Sequence, residues 1–104
     1  MAQFDVFTNP VTAARRAYPL VIGLQSDLIA LGTEVVVAPM APRRLLPGAA
    51  GRLTPIVRIE DQDYVVITQS LTSLPARDLE RRIANLQSYR QSLMAAVDLL
   101  FFGV

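Results

Sequence analysis

The chain has 104 residues, 52% of them hydrophobic and 18% charged, with a net charge of +1. That length reads as one domain covering 1–104, able to bury roughly 60–70% of its unfolded surface, and the composition is too apolar for intrinsic disorder. The lack of cysteine and histidine excludes disulfides, thiolate metal sites and cysteine nucleophiles, and with them the commonest general base and neutral metal ligand. No metal site and no cofactor is expected. A charge of +1 is too weak for whole-surface attraction to nucleic acid or anionic lipid. All ten basic residues are arginine, which genome composition explains without a binding role.

The opening MAQFDVFTNP lacks the basic start and unbroken apolar core of a signal peptide. The longest apolar stretch, Leu93 to Val104, is interrupted by Asp98 and is shorter than the ~20 residues a spanning helix needs. The cytoplasm is therefore the expected compartment.

QFDVFT alternates, with Phe4, Val6 and Thr8 on one face and Gln3, Asp5 and Phe7 on the other, which predicts a strand. Residues 9–17 read as a loop carrying Pro10, Arg15 and Arg16. Tyr18 to Gln25 reads as a second strand, in which Gly23 suggests a bulge or sharp bend. EVVVAPM at 34–40 is apolar on both faces, as in a well-buried strand. A 12-residue loop, APRRLLPGAAGR, follows at 41–52, long enough to be functional or mobile. TPIVRIE and YVVIT flank Asp61-Gln62-Asp63, which predicts a hairpin with a short acidic turn. Four or five short strands without intervening helices favour a small barrel or sandwich over a parallel sheet.

After residue 75 the period changes. Leu79, Ile83, Leu86, Leu93, Val97 and Leu100 recur at steps of three, four or seven, one apolar stripe on a helix. The stripe lapses at Arg90, and SYRQ at 88–91 has the form of a capping box with Ser88 as N-cap and Gln91 at N3. Two readings stay open: a main helix from Ser88 after a separate turn or short helix, or one continuous helix from Asp78. Either runs into Phe101, with Gly103 placed to end it. Phe101 continues the stripe and is expected to pack into the chain's own core or a dimer interface. Phe102 is expected to be displayed.

Taken together, QFDVFT, LQSDLI at 24–29, VVVAPMAPRRLLP at 35–47, PIVRI before an acidic turn, SLP and the terminal VDLLFFGV occur in the order found in CcdB toxins. The sequence resembles that family over essentially its whole length, with a slightly longer loop after the first strand. The resemblance implies a mainly β, SH3-like small barrel with a long C-terminal helix, assembled as a homodimer and not an enzyme. It implies binding to the A subunit of DNA gyrase, trapping of the enzyme on cleaved DNA, and neutralisation by a CcdA-like antitoxin with an acidic, largely disordered C-terminal segment. Neither membrane binding nor sequence-specific nucleic-acid binding is implied.

The family's gyrase-contacting end maps onto Phe102, Gly103 and Val104, with Asp98 early in the terminal motif. Other contacts map onto Gln3, Phe4 and Phe7 in the first strand and onto Ser26, Leu28 and Ile29 after the second; for Phe4 and Leu28, core packing is the ordinary alternative. Arg43 and Arg44 are candidates to meet the acidic antitoxin, a solvated loop being the alternative. A terminal aromatic ring is a rigid anchor for a pocket or an arginine, and Gly103 removes bulk where two backbones approach. Two departures bear on affinity: Phe102 stands where the best-known members have tryptophan, and Asp98 where they have asparagine.

Two other classes stay open. MazF-like endoribonucleases share the barrel, and Arg15, Arg16 and Thr54 are the residues such a site would use. A degenerate CcdB-like protein would bind antitoxin without poisoning gyrase. Ser26-Asp27 suggests a hydrolase fragment only weakly, since there is no histidine to complete it.

Overall fold

The computed structural model describes residues 2–27, 32–49 and 51–104. Among these are seven strands: β1 (Asp5–Thr8), β2 (Leu20–Gly23), β3 (Glu34–Pro42), β4 (Ile56–Ile59), β5 (Gln62–Val66), β6 (Thr72–Pro75) and β7 (Arg82–Asn85). One α-helix, α1 (Arg90–Phe102), follows. The strands pair antiparallel in the order β4-β5-β3-β2-β1-β7, with β6 also on β3. The sheet curls into a half-barrel, the mainly β fold with a terminal helix that the strand spacing predicts.

The period-2 alternation places apolar side chains on both faces of the central strands. Val6, Leu20, Ile22, Ala38 and Met40 join Val57, Ile59, Val66, Leu86 and Leu93 in the larger core. Phe7, Val21 and Val37 point the other way and meet Leu79, with Val35 and Leu74 packed against them. A sheet covered on both faces explains why β2 and β3 read as nearly continuous apolar runs. Pro39 sits inside β3 without breaking it. There β3 changes partner, pairing with β5 at Met40 to Pro42 and with β6 at Glu34 to Val37, so the missing N–H leaves no ladder bond open.

Several expectations are corrected. Gly23 makes no bulge; it is the last residue of β2 and pairs in register with Val37. β3 runs on to Pro42, so the following loop begins at Arg43 rather than Ala41. The β4–β5 turn is Glu60-Asp61, both left-handed at φ 49° and 66°, while Gln62 and Asp63 already belong to β5. A two-residue turn with positive φ at both positions matches the right-handed twist of its strands, and it sets Arg58 opposite Asp63 in register.

The largest correction lies before the helix. Residues 82–85 form β7, not helix, and bond to β1 with a register shift between Val6 and Phe7. The apolar stripe is therefore divided. Leu79 covers the far face of the sheet, Leu86 and Leu93 the near face, and Ile83 is 39% exposed on β7. Helical periodicity yielded because β1 offered an open edge whose ladder bonds outweigh a weak local preference. The capping box does not form either. Ser88 lies within the 3-10 turn Gln87–Tyr89 and Tyr89 is the N-cap, without a side-chain cap bond. Asn85 Oδ1 accepts the Gln87 N–H instead, at 2.9 Å.

Candidate functional site

α1 seats itself through Leu93 and Ala96, its two buried residues. Its remaining apolar side chains are thereby left near the surface. Met94, Val97 and Asp98 form one wall of a cleft of about 140 Å³, opposite Gln3, Phe4 and Leu24. Val97 and Leu24 also border a more apolar groove of about 280 Å³, completed by Gln25, Ser26, Val36, Leu71 and Phe101. The structure thus brings Gln3, Phe4, Asp98 and Ser26 to one side of the molecule, along the helix that carries Phe102 to Val104.

The floor of the cleft is an unusual turn. Phe4 is 1% exposed and holds φ at 71°, a left-handed conformation that costs a non-glycine residue free energy. Backbone bonds retain it: Phe4 N–H donates to Gly23 O at 2.8 Å, and Leu86 N–H donates to Phe4 O at 2.9 Å. Asp5, 3% exposed, closes the turn by accepting the Ala2 N–H at 2.7 Å. Burial pushes the Asp5 carboxyl up, but bonds from Asn85 at 2.8 Å and from Ala2, with the Arg82 guanidinium at 3.5 Å, outweigh it and hold the carboxyl below its ordinary value of 3.8. A depressed folded pKa gives stability that is present above the unfolded value and lost as pH falls through the folded one. Urea melts should therefore weaken as pH drops below about 4, and Asp5→Asn should flatten that dependence. An unchanged acid limb in the variant would remove Asp5 from the account.

The helix terminus is exposed. Phe102 and Val104 are each 75% exposed and Phe101 61%, so the expectation that Phe101 packs into the chain's own core is corrected. The spacing places Phe101 on the stripe, but its ring borders the apolar groove beside Val36 of β3 and Leu71 instead of entering the core. Gly103 ends the helix as expected, at φ 73° with its N–H donating to Leu99 O. Only Phe7 of the first-strand candidates is elsewhere: it belongs to the core on the opposite face of the sheet. Leu28 and Ile29 lie outside the described residues.

Arg43 and Arg44 sit exposed on the 3-10 turn Arg43–Leu45. With Pro47 and the β4–β5 hairpin tip they border a polar cleft of about 460 Å³. Asp63 pairs with Arg43 at 3.4 Å and with Arg58 at 2.9 Å, exposed contacts of small energetic worth. Of the residues considered for RNA cleavage, Arg15 donates its Nε to Asn9 O and Thr54 its hydroxyl to Ala49 O, so each is engaged within its own loop. Among the described residues no group of three or more His, Cys, Asp and Glu converges as metal ligands would, and no helix is long and apolar enough to cross a membrane.

Arg90 is the functional candidate that sequence reasoning missed. It opens α1 with its guanidinium 5.9 Å from the Phe4 ring centroid, and it donates to Gln3 Oε1 at 3.4 Å. The available signal was electrostatic: a cation in the first helical turn stands at the end where the macrodipole disfavours it.

This geometry sets side by side an apolar groove, a small cleft with polar rims, and an exposed aromatic-Gly-aliphatic end carried by a seated helix. Residues 3–103 match the family described as CcdB protein. The chain belongs to that family and is a CcdB-type toxin of a toxin–antitoxin module.

Proposed function

We propose that this toxin binds the A subunit of DNA gyrase, traps the gyrase–cleaved DNA complex and so arrests replication and growth. The observation that carries the reading is the exposure of Phe102 and Val104 at the end of a helix anchored in the core. A rigid aromatic group held clear of the surface binds with little ordering cost. Asp98 lines the cleft beside it, above the buried Phe4 floor, and extends the contact surface. The test is gyrase supercoiling by purified protein, with RNA cleavage assayed in parallel. Inhibition with accumulation of cleaved DNA is expected. RNA cleavage would transfer the reading to an endoribonuclease, and inactivity in both assays to a degenerate toxin.

The active form in this reading is a cytoplasmic homodimer whose second copy covers the groove between Val36, Leu71, Val97 and Phe101. Burying these side chains removes an apolar patch from water, and light scattering should report twice 11.4 kDa. A twofold axis would then present two termini to one symmetric target.

Neutralisation is assigned to an acidic antitoxin segment meeting Arg43 and Arg44. Replacing both by glutamine should weaken antitoxin binding by about tenfold at low salt and flatten its salt dependence. Unchanged affinity and salt slope would return that loop to solvated surface.

A further inference from the structure

Gln3 occupies a junction that its exposure alone does not reveal. Each of its four polar groups has a partner inside the chain. Its backbone N–H donates to Asp27 Oδ1 at 2.6 Å, and its carbonyl accepts from Asn85 Nδ2 at 3.1 Å. Its side-chain Nε2 donates to Leu24 O at 3.1 Å, and Oε1 accepts from Arg90 Nη1 at 3.4 Å. One residue therefore joins the segment after β2, the end of β7 and the start of α1, three parts separated in sequence by 21 to 87 residues from it.

Two of these partners bear on the recesses, Leu24 by lining both and Arg90 by opening the helix that walls them. Leu24 borders both the cleft and the apolar groove, so fixing its carbonyl fixes the wall that the two share. Arg90 has the helix dipole against it, and Gln3 Oε1 together with the Phe4 ring supplies what holds a cation there. We propose that Gln3 is a positioning residue: it sets the Leu24–Asp27 segment and the Arg90 guanidinium for partner capture, instead of being a direct contact. The proposal rests on the toxin reading above for the identity of the partner, but not for the internal geometry.

The experiment compares wild type with Gln3→Ala, Gln3→Glu, Arg90→Ala and the Gln3→Ala/Arg90→Ala double variant. Amide hydrogen exchange and the Arg90 Nε–H resonance are recorded on the protein alone, and capture of a gyrase A-subunit fragment is measured separately. Gln3→Ala keeps the backbone bonds to Asp27 and Asn85, so the fold is retained. It should speed exchange at residues 24–27 by about tenfold or more while Ile22 and Ala38 in the core strands stay near wild type. It should also move the Arg90 resonance to the free-arginine position.

Gln3→Glu keeps an acceptor for Arg90 but replaces the donor to Leu24 O with a second acceptor. It should therefore restore the Arg90 resonance and leave 24–27 unprotected. Gln3→Ala and Arg90→Ala should each weaken capture, with the double variant losing clearly less than the product of the two, as coupled neighbours do. Capture lost by Gln3→Ala with residues 24–27 and Arg90 unchanged would make Gln3 a direct contact and overturn the proposal. Uniformly faster exchange, Ile22 and Ala38 included, would overturn it in favour of general stability. Wild type failing to capture gyrase would defeat the toxin reading alone, because exchange and resonance are read without the partner.

Discussion

Deleting Phe102, Gly103 and Val104 is expected to abolish gyrase capture and growth arrest while lowering the melting temperature by no more than about 5–8 °C. Phe102 and Val104 are three-quarters exposed, so little apolar area returns to water on their removal. The lost interaction of consequence is the Gly103 N–H to Leu99 O bond that closes the helix, worth about 1 kcal/mol. A buried end would behave differently, because removing a packed Phe and Val would cost several kcal/mol. A truncated toxin that still arrests growth would refute display of this end.

Gly103 allows a finer test. Its φ of 73° favours glycine or asparagine, yet a Cβ there would meet nothing within 4 Å among the described residues beyond its chain neighbours. Gly103→Asn should therefore fold normally and lose capture, which separates the left-handed conformation from the close approach of a partner. Phe102→Trp should keep or strengthen capture, since indole offers the larger π face.

Leu93→Ala should do the reverse, destabilising the protein first and impairing capture only as a consequence. Leu93 is 1% exposed and is the main side chain by which α1 enters the large core, beside Phe4, Ile22 and Met40. Truncating it there should cost about 3 kcal/mol, within a range of 2–5, and lower the melting temperature by roughly 12–20 °C. A fall of only a few degrees would mean that α1 is held by something other than this anchor. The two changes lie on one helix, so their opposite signatures distinguish the surface that binds from the core that carries it.

Much of the fold was legible because its signals are local. Alternation in QFDVFT and EVVVAPM needs only the two-residue period of a strand, and both sets of side chains find a core. Gly103 after an apolar helix is likewise a local signal, since only a residue tolerant of positive φ closes that turn. The ordered motifs from Gln3 to the terminal FFGV sufficed to place the chain in its family. For the site, the exposure of Phe102 followed from its position after the last stripe residue.

What required the tertiary structure are the features set by distant partners. Leu79, Ile83 and Leu86 keep helical spacing, yet residues 82–85 became β7 because the edge of β1, far away in sequence, was free to pair. Alternation put Phe4 and Phe7 on opposite faces of one short strand, but that each face would be covered by a core of its own was decided by the layers on both sides of the sheet. Phe101 and Phe102 are both aromatic, and only the fold sets the first of them at the border of a groove with Val36 of β3 and Leu71. Gln3 is the extreme case: its bonds to Leu24, Asn85 and Arg90 span 21, 82 and 87 residues. Sequence periodicity reports which face a residue shares with its near neighbours. Hydrogen bonds across such separations exist only after the chain has closed on itself, so this junction became visible only in three dimensions.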